Sequence, residues 1–154
     1  MTASDPEKAW KIAENTRACF FSVSGHQMPM SAIVRKDEGA IYFLTDANSE
    51  KVGEIQDDHT VQLSFADHSA NDYLVVEGQA QVSNDREKIR ELWSTFAQAW
   101  WDSPEDPNIR LISVSPNSAE FWDGPGSITA SAKMLFAAVT GGRPDMGEKK
   151  HTGM

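Results

Sequence analysis

Cysteine is almost missing from this 154-residue chain: Cys19 is the only one. A single thiol closes no internal disulfide, so a disulfide-stapled scaffold is excluded. In the apolar stretch "ACFFSV" it reads as a small buried hydrophobe. Long hydrophobic runs are missing too, and none approaches the roughly 18 residues that a membrane helix needs. The opening "MTASDPEKAWKIAENT" lacks the basic start and apolar core of a signal peptide, so a cytoplasmic protein is expected. Positive charge is scarce. Fourteen Lys and Arg stand against 23 Asp and Glu, a formal net charge of −9. Most of such a surface repels a phosphate backbone, so nucleic acid is not expected as a partner, and without a spanning run neither is a membrane. The four histidines, His26, His59, His68 and His151, show no metal-ligand spacing, and no metal site is expected. Ser22 and Ser24 lack a nucleophile-elbow context, and "GGRPDMG" lacks the Lys-Ser/Thr of a phosphate loop.

What remains is an ordinary folded composition, long enough for one domain with one core. The expected division is a domain over 1–140 and a polar C-terminal tail over 141–154. Ser4-Asp5-Pro6-Glu7 is a capping box that opens a helix to about Arg17, with Trp10, Ile12 and Ala13 facing inward. "CFFSVSG" and "MPMSAIVRKDEGAIYFLTD" predict three strands, with turns at Gly25 and Asp37-Glu38-Gly39. A short helix over Ser49 to Asp57 follows. Val61, Leu63 and Phe65 then alternate as a half-buried strand, and "DYLVVEGQAQVS" is a longer one with a bulge expected at Gly78. Asn84 and Glu87 form a second capping box. Behind it Ile89, Leu92, Trp93, Phe96 and Trp100 recur at helical spacing. "SPEDPN" breaks that helix, "IRLISVSP" and "AEFW" supply a last strand, and "SITASAKMLFAAVTGG" predicts a final helix. About six strands joined mostly by tight turns imply antiparallel pairing. Closing the sheet protects its edges. The expected fold class is α+β, a small antiparallel barrel with flanking helices.

One stretch carries a dense set of hydrogen-bonding groups: "IYFLTDANSEKVGEI", Ile41 to Ile55. It runs from strand to helix through Thr45, Asp46, Asn48, Ser49 and Lys51. A helix N-terminus with unpaired N–H groups is a natural anion site, and Lys51 adds a full charge. The plainer alternative is a surface helix capped by Asn48 or Ser49, with a solvated lysine. Asp46, Glu50 and Glu54 keep the corner from being basic. Phosphate binding here would rely on Lys51, backbone donors and Arg35 from the preceding strand.

The order of several fragments carries a resemblance. Pro29-Met30-Ser31, Tyr42-Phe43-Leu44-Thr45 and Ser49-Glu50-Lys51-Val52-Gly53-Glu54-Ile55 are followed by "VQLSFAD", "VVEGQAQV", "ELW" with "AWW", "SPNSAEFWDGP" and "AAVTGGRPDMG". From about Trp10 to Gly147 the chain resembles the flavin-binding split-barrel superfamily of pyridoxamine 5'-phosphate oxidase, and within it the general stress protein 26 branch. The resemblance implies an antiparallel split β-barrel that dimerises, with FMN, or FAD as the alternative flavin, in clefts at the subunit interface. By position it implies Thr45, Ser49 and Lys51 as phosphate ligands, with Met30, Ser31 and Ala32 along the isoalloxazine. It implies Tyr73 facing the flavin, and Trp101 and Trp122 covering the ring, from the other subunit in the homodimer. The oxidase's substrate-gripping Arg-x-His has no counterpart in "DGPGSITASAK" after Glu120-Phe121-Trp122. Pyridoxamine phosphate oxidation is therefore not expected. An FMN-dependent oxidoreductase of the general stress type is, with a non-catalytic flavin-sequestering protein as the alternative.

Overall fold

A computed structural model describes residues 5–94, 97–123 and 148–154. Helix α1 (Asp5–Thr16) comes first and is amphipathic, burying Ala9, Trp10, Ile12 and Ala13. Its expected capping residue, Ser4, lies outside the described residues. Arg17 ends the helix with a left-handed backbone, φ 63°. Strands β1 (Ala18–Val23) and β2 (His26–Ser31) then form a hairpin. Ser24 and Gly25 both have positive φ in its two-residue turn, the geometry that matches strand twist.

The segment expected to be one strand through Met28–Arg35 is two. Strand β2 ends at Ser31 and β3 (Ile33–Arg35) starts after Ala32, whose N–H donates to Arg17 O at 2.6 Å. That bond takes Ala32 out of both ladders and breaks the strand. Next come β4 (Ala40–Asp46), α2 (Glu50–Asp57), β5 (Thr60–Asp67) and β6 (Asp72–Ser83). Helix α3 (Arg86–Leu92), β7 (Ile109–Asp123) and β8 (Glu148–Thr152) complete the described elements. All pairings are antiparallel, in the order β2-β1-β5-β6-β7-β4-β3, with β8 added to β7. The sheet's two end strands, β2 and β3, are consecutive in the chain, so the sheet curls and its seam lies at Ala32. This is an α+β split barrel. Among the described residues eight strands stand where about six were expected, because Ala32 divides one and the polar end of the chain supplies another.

The barrel interior is filled by alternate residues of the strands, among them Phe21, Phe43, Leu63, Phe65, Val76 and Phe121, closed by α1 and by Ile55 of α2. Phe21 and Phe43 meet edge to face at 5.2 Å. Strand β4 is buried on both faces. Ile41 and Phe43 point into the barrel, while Ala40 and Tyr42 meet Ile89 and Leu92 of α3 in a second cluster. The cap of α3 is Asp85, accepting from Lys88 N at 3.1 Å, one residue later than the expected Asn84. The helix is also shorter than its apolar spacing predicts. It ends at Leu92, since Trp93 takes an extended backbone (φ −60°, ψ 136°). Phe96 and the expected final helix lie outside the described residues.

Candidate functional site

Strand β4 delivers Thr45 to the end of the barrel interior, on the same face as Ile41 and Phe43. Apart from Tyr42, Thr45 is the one polar side chain buried among the described residues, at 4% exposure. A buried hydroxyl requires partners. It has two: Lys51 Nζ donates to Thr45 Oγ1 at 3.1 Å, and Ser49 Oγ lies 3.3 Å from the same atom. Ser49 occupies the N-cap position of α2, yet its side chain makes no capping bond to the helix. The turn before it is held instead by Asp46, whose side chain accepts from Asn48 N at 2.9 Å and whose carbonyl accepts from Ser49 N. The Ser49 hydroxyl is thus left to the Thr45–Lys51 cluster. Burial pulls the Lys51 ammonium below the ordinary lysine value, and nearby Asp46 opposes that shift. A partly desolvated cation beside two hydroxyls and a helix start would be relieved by an anion.

This cluster forms one end of a cleft of about 870 Å³. The strip from Pro29 to Arg35, across the barrel seam, makes its long wall. Leu44, Thr45 and Asp46, then Ser49 and Lys51, make the end, and Trp100 and Trp101 stand on the side reached from α3. The structure therefore brings together Met30, Ser31, Ala32, Thr45, Ser49, Lys51 and Trp101 in one cleft. Tyr73 and Trp122 are elsewhere: they face each other as partners across β6 and β7, outside the described lining. Arg35 lines the cleft, with its guanidinium near Val34 O at 3.3 Å. Glu14 and Arg17 also line it and were not singled out from sequence. Arg17 sits at the left-handed turn that ends α1, and nothing in the local pattern announces that turn.

The segment bearing Trp100 and Trp101 is set by side chains rather than by a continuous helix. Arg86 of α3 donates to the carbonyls of Pro104 (3.2 Å), Asp106 (2.8 Å) and Ile109 (3.1 Å). Those bonds fold "SPEDPN" back onto α3 and start β7. Trp101 packs against the second apolar cluster, whereas Trp100 is 69% exposed.

The family model for pyridoxamine 5'-phosphate oxidase-like proteins matches residues 4–145. The chain belongs to that family. It is 27% identical over 79 residues to general stress protein 26 of Bacillus subtilis, across 49% of this chain and 56% of that one. The chain spans less than two thirds of the curated relatives it matches, 59% and 56% of their length. A solved general stress protein 26 from Jannaschia sp. CCS1 superposes with a TM-score of 0.79 at 27% identity, over 97% of this chain and 98% of that one. A general stress FMN/FAD binding protein from Xanthomonas citri shares the fold, with a TM-score of 0.70 at 24% identity, over 79% and 89%. Among the described residues no helix is long and apolar enough to cross a membrane.

Proposed function

We propose that this family member binds FMN in the seam cleft and acts as a flavin-dependent oxidoreductase of the general stress type. The observation that carries the reading is the Thr45–Ser49–Lys51 cluster: a buried hydroxyl, an uncommitted cap serine and a partly desolvated ammonium at one end of a cleft. A phosphomonoester carries nearly two negative charges near neutral pH and several acceptor oxygens. Thr45, Ser49 and Lys51 would hold it. The cleft volume lies within the usual range for ligand pockets of about 300–1,000 Å³. Met30, Ser31 and Ala32 would run along the isoalloxazine, and Trp101 offers an aromatic face to it. Flavin supplies hydride and electron transfer when bound, and the protein's own part is to orient it and to exclude water around it. The name of the Xanthomonas relative, which binds FMN or FAD, supports the cofactor class.

The family reading also makes the protein a homodimer, with Tyr73 facing the flavin and Trp122 covering the ring from the partner subunit. We also propose a cytoplasmic location, where a lone thiol such as Cys19 is ordinary. A second reading is favoured by the cleft's described lining, which contains neither histidine nor cysteine: a protein that binds and sequesters flavin without turnover. The spectrum of the purified chain mixed with FMN tests the common core. Saturable quenching of flavin fluorescence with a shifted visible band is expected. Absence of any change at high micromolar protein contradicts both readings. Bleaching of the bound flavin by NADH or NADPH then selects the oxidoreductase, and an unbleached flavin selects sequestration.

A further inference from the structure

On the other side of Lys51, three side chains far apart in sequence converge. His26 opens β2 at the tip of the β1–β2 hairpin, while Glu50 and Glu54 lie one turn apart on α2. Each offers one ligand atom, and these atoms all lie within 4.8 Å of one another. His26 Nδ1 is hydrogen bonded to Glu54 Oε1. The second oxygen of that carboxylate, Glu54 Oε2, is buried and has no hydrogen-bond partner among the described residues. A buried polar atom left unpaired is costly, and more so when it belongs to a charged group. An ordinary His26–Glu54 ion pair accounts for one carboxylate oxygen and leaves the other unexplained. It also leaves unexplained why a second glutamate stands against the pair. The three residues border a recess of about 440 Å³, distinct from the seam cleft and sharing only Lys51 with it.

We propose that His26, Glu50 and Glu54 form a binding site for a divalent cation of the zinc type. One imidazole nitrogen with two carboxylate oxygens suits zinc and its first-row neighbours. Calcium and magnesium prefer all-oxygen shells. Zinc bonds of about 2.0–2.2 Å place tetrahedral ligand atoms about 3.4 Å apart, so donors already within 4.8 Å need only side-chain rotation to close on an ion. Such an ion satisfies Glu54 Oε2, keeps an open position for water, and ties the first turn of α2 to the hairpin. That turn carries Ser49 and Lys51, so occupancy would steady the corner. The histidine and the glutamates are 24 and 28 positions apart, which is why no ligand spacing is visible in the sequence.

The inference does not depend on the flavin reading, and neither does its test. Zinc is titrated calorimetrically into the tag-free full chain without flavin, for wild type, His26→Ala, Glu54→Gln and His68→Ala. One saturable zinc per wild-type chain is expected, with a raised thermal midpoint. His26→Ala and Glu54→Gln should each weaken binding by at least about tenfold, the scale on which even outer partners of metal ligands act. His68→Ala should bind as wild type does. Should Glu54→Gln fail to fold, His26→Ala decides alone, since that side chain is 62% exposed and its loss is tolerable. Absence of saturable binding overturns the proposal. So does equal binding by wild type and His26→Ala, or a loss confined to His68→Ala.

Discussion

Ser49 stands where a helix-capping serine is expected, yet its hydroxyl is turned to Thr45 rather than to the backbone of α2. Capping serines contribute about 0.5–2 kcal/mol, so the two roles separate cleanly. Ser49→Ala is predicted to change unfolding free energy by no more than about 0.5 kcal/mol, the low end for one hydrogen bond, because Lys51 still donates to the buried Thr45 hydroxyl. The same substitution should weaken FMN several-fold. Chemical denaturation and flavin titration check both. A stability loss of 1 kcal/mol or more with FMN affinity untouched would return Ser49 to plain capping. This corner was legible in the sequence because Thr45, Ser49 and Lys51 sit within seven residues, where strand-to-helix geometry dictates their meeting. Glu14, Arg17 and the His26–Glu50–Glu54 group were not, because each depends on a tertiary turn or on packing between distant segments.

Among the elements, strands were read more faithfully than helices. Inward alternation at Val61, Leu63 and Phe65 survives in the barrel because one face of β5 is dry. The long helix after Asn84 did not survive. Trp93 packs onto the Ile89–Leu92 cluster as the apolar spacing suggests, but by irregular chain, and Trp101 packs there where the spacing had named Trp100, which is exposed. The three carbonyl bonds of Arg86 compete with helix continuation, and a periodicity count is blind to them. The irregularity falls where it was expected, at Gly78, but the extra residue is on the facing strand β7. Between Glu77 and Gly78 the register with β7 shifts, so Ser118 and Pro116 are partners and Asn117 is passed over. Pro116, with no N–H to give, fits a bulge in an interior strand. A Cβ on Gly78 would lie 2.6 Å from Ser115 O, a backbone atom that cannot swing aside. Gly78→Ala is therefore predicted to destabilise the fold by about 1–3 kcal/mol, the usual cost of overpacking. A melt unchanged from wild type would mean that the strands do not approach so closely.

At the scale of the whole molecule, the sheet closes on itself except at one seam. Its end strands are joined through Ala32, and the cleft of about 870 Å³ runs along that join. The family and the barrel were legible in the sequence through the order of short fragments. The seam was not, because the bond from Ala32 N to Arg17 O that creates it links two loops with no pattern of their own. With a net charge of −9, the molecule offers no general attraction to an anionic ligand. On the proposed reading, recognition of a phosphate is local, and Lys51 is the group that would bear it. Titration of FMN and of riboflavin, which lacks the phosphate, into wild type and Lys51→Ala tests this most directly. Losing a charge-assisted hydrogen bond costs about 1.5–3 kcal/mol. Lys51→Ala should therefore weaken FMN by roughly ten- to a hundredfold while riboflavin affinity stays near the wild-type value. Equal losses for the two ligands, or none for either, would contradict the phosphate corner and the function built on it.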